Sequence, residues 1–143
     1  AAYCADWFAA QMSVALTSQL EDWQPDLVTY MPIGFLHYRK RGYNQAELLA
    51  KLTAKPLSLP CEATLRKRWF VGKQSAQKDY AARQSNAENA VLPKGSVDLT
   101  GKSVVLVDDI ITTGATAAAA VKALREMGAI RVYVLAATFT PRK

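Results

Sequence analysis

The chain has little of what many active sites are built from. Its 143 residues include one histidine, His37, and two cysteines, Cys4 and Cys61. The cysteines stand apart without C-x-x-C spacing, so they read as small apolar residues rather than as metal ligands or a disulfide. Nothing supplies four ligands for structural zinc, and none is expected. No Ser–His or Cys–His arrangement for nucleophilic catalysis stands out. No run approaches the roughly 18 apolar residues that would cross a bilayer, so no membrane partner is expected. The N-terminus lacks a basic segment followed by an apolar one, so no signal peptide is expected, and a cytoplasmic location is the simplest fit. Internal repeats and low-complexity linkers are absent, and the length suits a single domain over residues 1–143.

What is present is basic charge and one dense motif. Eighteen Lys and Arg against twelve Asp and Glu give a net charge of +6, which favours a phosphorylated small molecule or nucleic acid as partner. The motif is Val-Val-Leu-Val-Asp-Asp-Ile-Ile-Thr-Thr-Gly-Ala-Thr, residues 104–116. An apolar run ending in two carboxylates reads as a buried strand that presents Asp108 and Asp109 at its carboxyl end. The loop Thr112 to Thr116 then wraps the start of an alanine-rich helix. Ligands of open α/β sheets sit at the carboxyl ends of strands. A helix start preceded by Gly and Thr offers N–H groups and hydroxyls to a phosphate. Carboxylates beside such a cradle suit a sugar phosphate.

The remaining elements follow from periodicity and breakers. Cys4, Phe8, Met12, Leu16 and Leu20 recur every four positions, with Trp7 and Ala15 widening the stripe, and predict a helix over 3–20. Leu27 to Met31 predicts a short buried strand. Asn44 with Glu47 three residues on resembles a capping box before a helix over 45–54, which Pro56 stops. Residues 65–90 are polar and basic, with a strand at Trp69 to Val71 and a weak helix at Lys78 to Ala90 as expectations. Turns are expected at 93–95 and 100–102. A helix running to Met127 with Gly128 as its C-terminal cap, then a strand over 131–138, complete the chain. The alternation implies an α/β fold, a mostly parallel sheet flanked by helices.

The 104–116 run resembles the PRPP-binding signature of type I phosphoribosyltransferases, whose fold is this Rossmann-like α/β sheet. The resemblance implies that Asp108 and Asp109 contact the ribose hydroxyls and hold magnesium, directly or indirectly. It implies that Thr112, Thr113, Gly114, Ala115 and Thr116 bind the 5-phosphate. In that family the loop after the first sheet strand binds pyrophosphate, and here it would comprise Ile33, Gly34, Arg39, Lys40 and Arg41, cations suited to an anion. The text Pro-Ile, a basic stretch, then Arg-Gly-Tyr-Asn-Gln resembles the ComF competence-protein family, which includes GntX-type proteins. Gly34-Phe35 replaces that family's second Pro-Leu, and His37 is out of place, so it receives no role. Arg83, Asn86, Ala90 and Val91 match the end of the family's mobile loop, whose Gln would be Gln77 or Gln74. Arg83 is thereby a candidate pyrophosphate contact. ComF proteins usually begin with a zinc module, and its ligands are not found in these residues, so the resemblance implies either a fragment without it or a shortened relative, and zinc dependence is not carried over.

Two other motifs fail on inspection. Gly95 to Ser103 resembles a Walker A loop, but five residues separate its glycines where four are needed, and it precedes a strand instead of following one. Leu-Val-Asp-Asp resembles a receiver domain's acidic pocket, but no Asp follows Asp109. The resemblance therefore implies displacement at the anomeric carbon of magnesium-PRPP by a nitrogen nucleophile, with no acceptor specified. Tyr3, Trp7 and Trp23 on the N-terminal helix are the aromatic residues that could stack an acceptor base, although core packing is their simpler role. A different reading is a non-catalytic accessory protein of DNA uptake, with Arg66, Lys67, Arg68 and Lys73 around Trp69 and Phe70 binding single-stranded nucleic acid. Neither reading fixes the oligomeric state, and a dimer is compatible with both.

Overall fold

A computed structural model describes residues 2–33, 42–67, 91–111 and 114–139 of the chain. Its centre is the strand β4, Ser103–Ile111. Val104, Val105, Leu106 and Val107 are all fully buried. Their side chains alternate between two core clusters, Val104 and Leu106 in one, Val105 and Val107 in the other. A parallel strand covered on both faces has no polar side to show, so it reads as an unbroken apolar run. Each such side chain contributes about 1.5–3 kcal/mol by leaving water.

On one side β4 pairs in parallel with β1, Leu27–Tyr30, and on the other with β5, Arg131–Phe139, in the order β1-β4-β5. Register runs from Leu27 opposite Val104 to Tyr30 opposite Val107, and from Ser103 opposite Arg131 to Ile111 opposite Phe139. Among the described residues the expected parallel sheet is thus three-stranded. Pro60 to Glu62 lie along the outer edge of β1, where the Val28 N–H donates to Pro60 and the Glu62 N–H to Val28, at 2.8 and 2.9 Å.

Two helices cover the Val105–Val107 face. The first, α1 (Ala2–Trp23), is longer at both ends than its periodicity predicts. Its buried stripe is Ala5, Ala9, Met12 and Leu16, small enough at two positions to bring the helix close to Val28 and Val105. Trp7 and Ala15 are corrections to the predicted stripe: both are exposed, Trp7 at 61 %, where its ring meets that of Phe8 in a T-shaped contact. The second, α2 (Gln45–Ala54), follows the predicted bounds and continues into a single 3-10 turn, Lys55–Leu57, where Pro56 is tolerated. The capping box is half formed. Asn44 caps the helix by accepting from the Ala46 N–H, but the Glu47 carboxylate turns away to pair with Lys51 one turn on.

The other face is covered by α3, Ala115–Glu126, and by a two-stranded antiparallel ribbon, β2 (Leu65–Lys67) and β3 (Val91–Pro93). The ribbon was not expected from the sequence. The strand and helix predicted within 69–90 lie outside the described residues. The end of α3 is as predicted: Gly128 follows Met127 with φ +107, its N–H donates to Arg125, and the Ala129 N–H reaches Leu124, a Schellman pattern. At the amino end of the sheet, Ser103 fastens three elements at once. Its N–H donates to the Asp26 carboxylate, its hydroxyl to the Trp23 carbonyl, and its carbonyl accepts from the Asp26 N–H.

Candidate functional site

The opposite, carboxyl end of the sheet carries the chemistry. Here β4 continues beyond its buried run through Asp108 and Asp109 to Ile111, so both carboxylates stand on regular strand rather than on a turn after it. Both are half-buried. The Asp108 carboxylate accepts the Asp109 backbone N–H at 2.8 Å, which holds it close to its neighbour. Burial, then a hydrogen bond shared with the Asp109 carboxylate, then the Asp109 charge push the Asp108 carboxyl up to about 6. The Asp109 N–H and the Lys67 ammonium act in the opposite direction. Two adjacent, partly desolvated carboxylates favour a bound proton, a cation, or hydroxyl donors from a ligand.

Gly114 is the N-cap of α3, with φ +80, ψ −4 and no side-chain capping bond. This left-handed conformation suits glycine. It puts Ala115 and Thr116 in the first turn of the helix, where backbone N–H groups face outward. An acid pair and a helix start with only five residues between Asp109 and Ala115 thus share one edge of the sheet. Thr112 and Thr113 lie outside the described residues.

At the same edge β1 ends by donating the Met31 N–H to the Val107 carbonyl, and Pro32 and Ile33 follow. Gly34, Arg39, Lys40 and Arg41 lie outside the described residues, as does Arg83. The frame of the loop is described, however. The buried Asn44 side chain donates to the Met31 carbonyl at 3.0 Å while capping α2, so one residue of the Arg-Gly-Tyr-Asn-Gln text joins the loop's two ends. Of the aromatic residues proposed to stack a base, Trp23 is ruled out as a neighbour of the acid pair. It stacks on Tyr133 with centroids 4.2 Å apart, beside Ser103 at the amino end.

Two residues escape the sequence reading of this site. Asn44 reads there only as a cap, and Lys67 only as part of a basic cluster. In the structure buried Leu65, exposed Arg66 and half-buried Lys67 alternate along β2, an alternation too short for the sequence alone to show. Cys61 is half-buried, and burial pushes its thiol up to about 11, away from reactive thiolate character. Among the described residues, no group of three or more His, Cys, Asp and Glu side chains could hold a metal ion unaided. No described helix is long and apolar enough to cross a membrane.

Comparison with known proteins identifies the family and agrees with the fold. The phosphoribosyl transferase domain family matches residues 44–142, from Asn44 to beyond β5. The chain belongs to that family. Within it the chain is a type I phosphoribosyltransferase domain of the ComF kind. It is 35 % identical over 109 residues to competence protein F of Haemophilus influenzae, covering 73 % of this chain and 47 % of that protein. It is 33 % identical over 119 residues to the DNA utilization protein YhgH of Escherichia coli K12, covering 77 % and 48 %. The chain therefore spans about half the length of these curated relatives. Among solved structures, glutamine phosphoribosylpyrophosphate amidotransferase from B. subtilis, complexed with ADP and GMP, superposes with a TM-score of 0.61 at 28 % identity over 93 % of this chain and 26 % of that one.

Proposed function

We infer that this domain binds magnesium-PRPP at the carboxyl edge of its sheet and transfers the phosphoribosyl group to a nitrogen acceptor, releasing pyrophosphate. The observation that carries the reading is the half-buried Asp108–Asp109 pair beside the Gly114-capped start of α3. The carboxylates suit the ribose hydroxyls as acceptors, and the N–H groups of the first helical turn suit the 5-phosphate as donors. Thr112, Thr113 and the cations Arg39, Lys40, Arg41 and Arg83 complete the assignment at the level of sequence.

Magnesium fits the donor set. The pair offers two hard oxygen ligands whose mutual repulsion a cation relieves, and too few ligands to bind it without a substrate. Magnesium is commonly held in this way, by one or two carboxylates together with substrate phosphates. When bound it would neutralise charge on the leaving pyrophosphate. The protein's own part is orientation and electrostatics. In the transfer the bond from the anomeric carbon to the pyrophosphate oxygen breaks and its electron pair leaves with pyrophosphate. The acceptor nitrogen's lone pair forms the new bond, and the nitrogen's proton passes to solvent. Positive charge develops on the ribose ring between these events, and preorganised carboxylates stabilise it.

The test is titration calorimetry of PRPP into the native chain and Asp109→Asn, with and without magnesium. Magnesium-dependent binding that Asp109→Asn weakens about tenfold or more is expected. No binding by the native chain would refute the reading. A second reading is favoured by two observations: Arg66 on β2 and Lys94 just after β3 are both exposed on the ribbon, and a relative is named for DNA utilization. On that reading the domain binds single-stranded DNA without turnover. A salt-dependent gel shift that PRPP fails to compete would support it.

A further inference from the structure

The outer face of α1 is not built like a face that meets water. Residues 7–20 of this helix contain no charged side chain. The buried stripe of Ala5, Ala9, Met12 and Leu16 accounts for one side only. On the opposite side the exposed residues Trp7, Ala10, Val14 and Thr17 follow at spacings of three, four and three, the seam along which one helix packs on another. Trp7 and Val14, 61 % and 69 % exposed, are two of the three large apolar residues exposed among the described residues, and they stand two turns apart on this one seam. Ala10 between them leaves a hole for an incoming side chain. The hydroxyls beside the seam are turned inward: Thr17 donates to the Ser13 carbonyl at 2.6 Å and Ser18 to the Ala15 carbonyl at 2.7 Å. A helix that is apolar on both sides is ordinarily covered on both.

Charge indicates what covers it. Asp6 precedes the seam and Glu21 and Asp22 follow it, all three exposed, while α1 carries no Lys or Arg. Among the described residues none of the three pairs with a cation. They stand on a chain whose net charge is +6, so this helix is an acidic strip on a basic molecule. A second copy's α1 suits it poorly in either direction. Parallel helices would set Asp6 beside Asp6, and antiparallel ones would set Asp6 beside Glu21 and Asp22. A helix with Lys or Arg at both ends of an apolar seam matches both the stripe and the charges.

We propose that the outer face of α1 docks a helix of a different polypeptide, apolar along its seam and basic at its ends. Trp7 is the anchor of the contact, as exposed tryptophans at the centre of an interface commonly are. The acid residues at either end fix the partner's position and exclude acidic helices. This surface is separate from Asp108 and Asp109, and it stands whether or not PRPP binds there.

The experiment uses two synthetic helical peptides of about 20 residues, labelled with a fluorophore and identical along a Leu/Ala seam. One carries Lys at both ends and the other carries Glu. Fluorescence anisotropy follows each against the full native chain, a Trp7→Lys, Val14→Lys double variant, and an Asp6→Lys, Glu21→Lys, Asp22→Lys triple variant, with thermal melts to show that each is folded. The native chain is expected to bind the Lys peptide about tenfold or more tighter than the Glu peptide, the reverse of the order that its net charge alone would give. The double variant should lose the Lys peptide, and the triple variant should come to prefer the Glu peptide. No binding of the Lys peptide by the native chain, a native preference for the Glu peptide, or Lys-peptide binding unchanged in the double variant would overturn the proposal. So would a native dimer in light scattering, or native binding to phosphatidylcholine vesicles, that the double variant abolishes, since either would give the face to a second copy or to a bilayer.

Discussion

The Asn44 side chain donates a 3.0 Å hydrogen bond to the carbonyl of Met31, thirteen residues earlier, while its own oxygen accepts the Ala46 N–H. One buried amide thus closes the loop that leaves β1 and starts the helix that follows it. Asn44→Ala leaves the Met31 carbonyl without its partner and α2 without its cap, an expected loss of about 2 kcal/mol. Asn44→Asp keeps the cap acceptor but not the donor, and should retain part of the stability. Urea denaturation of the three proteins checks the order, and equal midpoints would show that the amide closes nothing.

Gly114 and Gly128 both adopt left-handed backbone, but only one has room for a side chain. A Cβ at Gly114 would meet nothing within 4 Å, while at Gly128 it would lie 2.7 Å from Thr100. Gly114→Ala should cost about 1–2 kcal/mol for backbone conformation alone. Gly128→Ala adds a clash with backbone and should cost about 3 kcal/mol or more. Chemical denaturation that ranks the two in the other order would contradict the described turn at 127–130.

The hydroxyls of Thr29 and Thr64 satisfy each other in the interior at 2.6 Å, tying the parallel sheet to the chain that enters the ribbon. Thr64→Val strands the Thr29 hydroxyl, with an expected loss of about 1–3 kcal/mol. The double variant Thr29→Val, Thr64→Val removes both polar groups and should regain part of that loss. A double-mutant cycle from denaturation midpoints measures the coupling, and strict additivity would argue against the bond.

These positions also show what the sequence reveals and what it conceals. Val104 to Val107 announce a central parallel strand because burial on both faces removes alternation, and Asp108-Asp109 stand out as charge at its end. Gly128 declares the end of α3 because few other residues accept that backbone. The ribbon is concealed because strands as short as Leu65–Lys67 and Val91–Pro93 carry too little periodicity to register. Trp7 misleads because spacing alone assigns it to the apolar stripe, whereas the alanines Ala5 and Ala9 form the buried contact. The Met31–Asn44 bond is invisible because it spans a loop, and local pattern records only the cap. Lys67 is seen as one cation among several until folding brings its charge to bear on Asp108.

The acid pair makes stability depend on pH in a stated direction. The Asp108 carboxyl rises from its ordinary value of 3.8 to about 6 in the folded chain, so the native state holds this proton more tightly than the unfolded state. Its stabilising contribution is complete below the unfolded value and is lost as pH climbs from about 4 to about 6. Above that range the ionised pair is a constant burden on the ligand-free protein. In thermal melts, the advantage of Asp108→Asn over native should therefore grow from pH 4 to about pH 6 and then level off. An advantage independent of pH would contradict the shift.

The most direct measurement of the central claim is a crystal structure of the chain grown with PRPP and magnesium. The account predicts ribose hydroxyls within hydrogen-bond distance of the Asp108 and Asp109 carboxylates, and the 5-phosphate against the N–H groups that open α3 at Gly114 to Thr116. PRPP bound elsewhere on the chain, or an unliganded carboxyl edge at saturating PRPP, would contradict it.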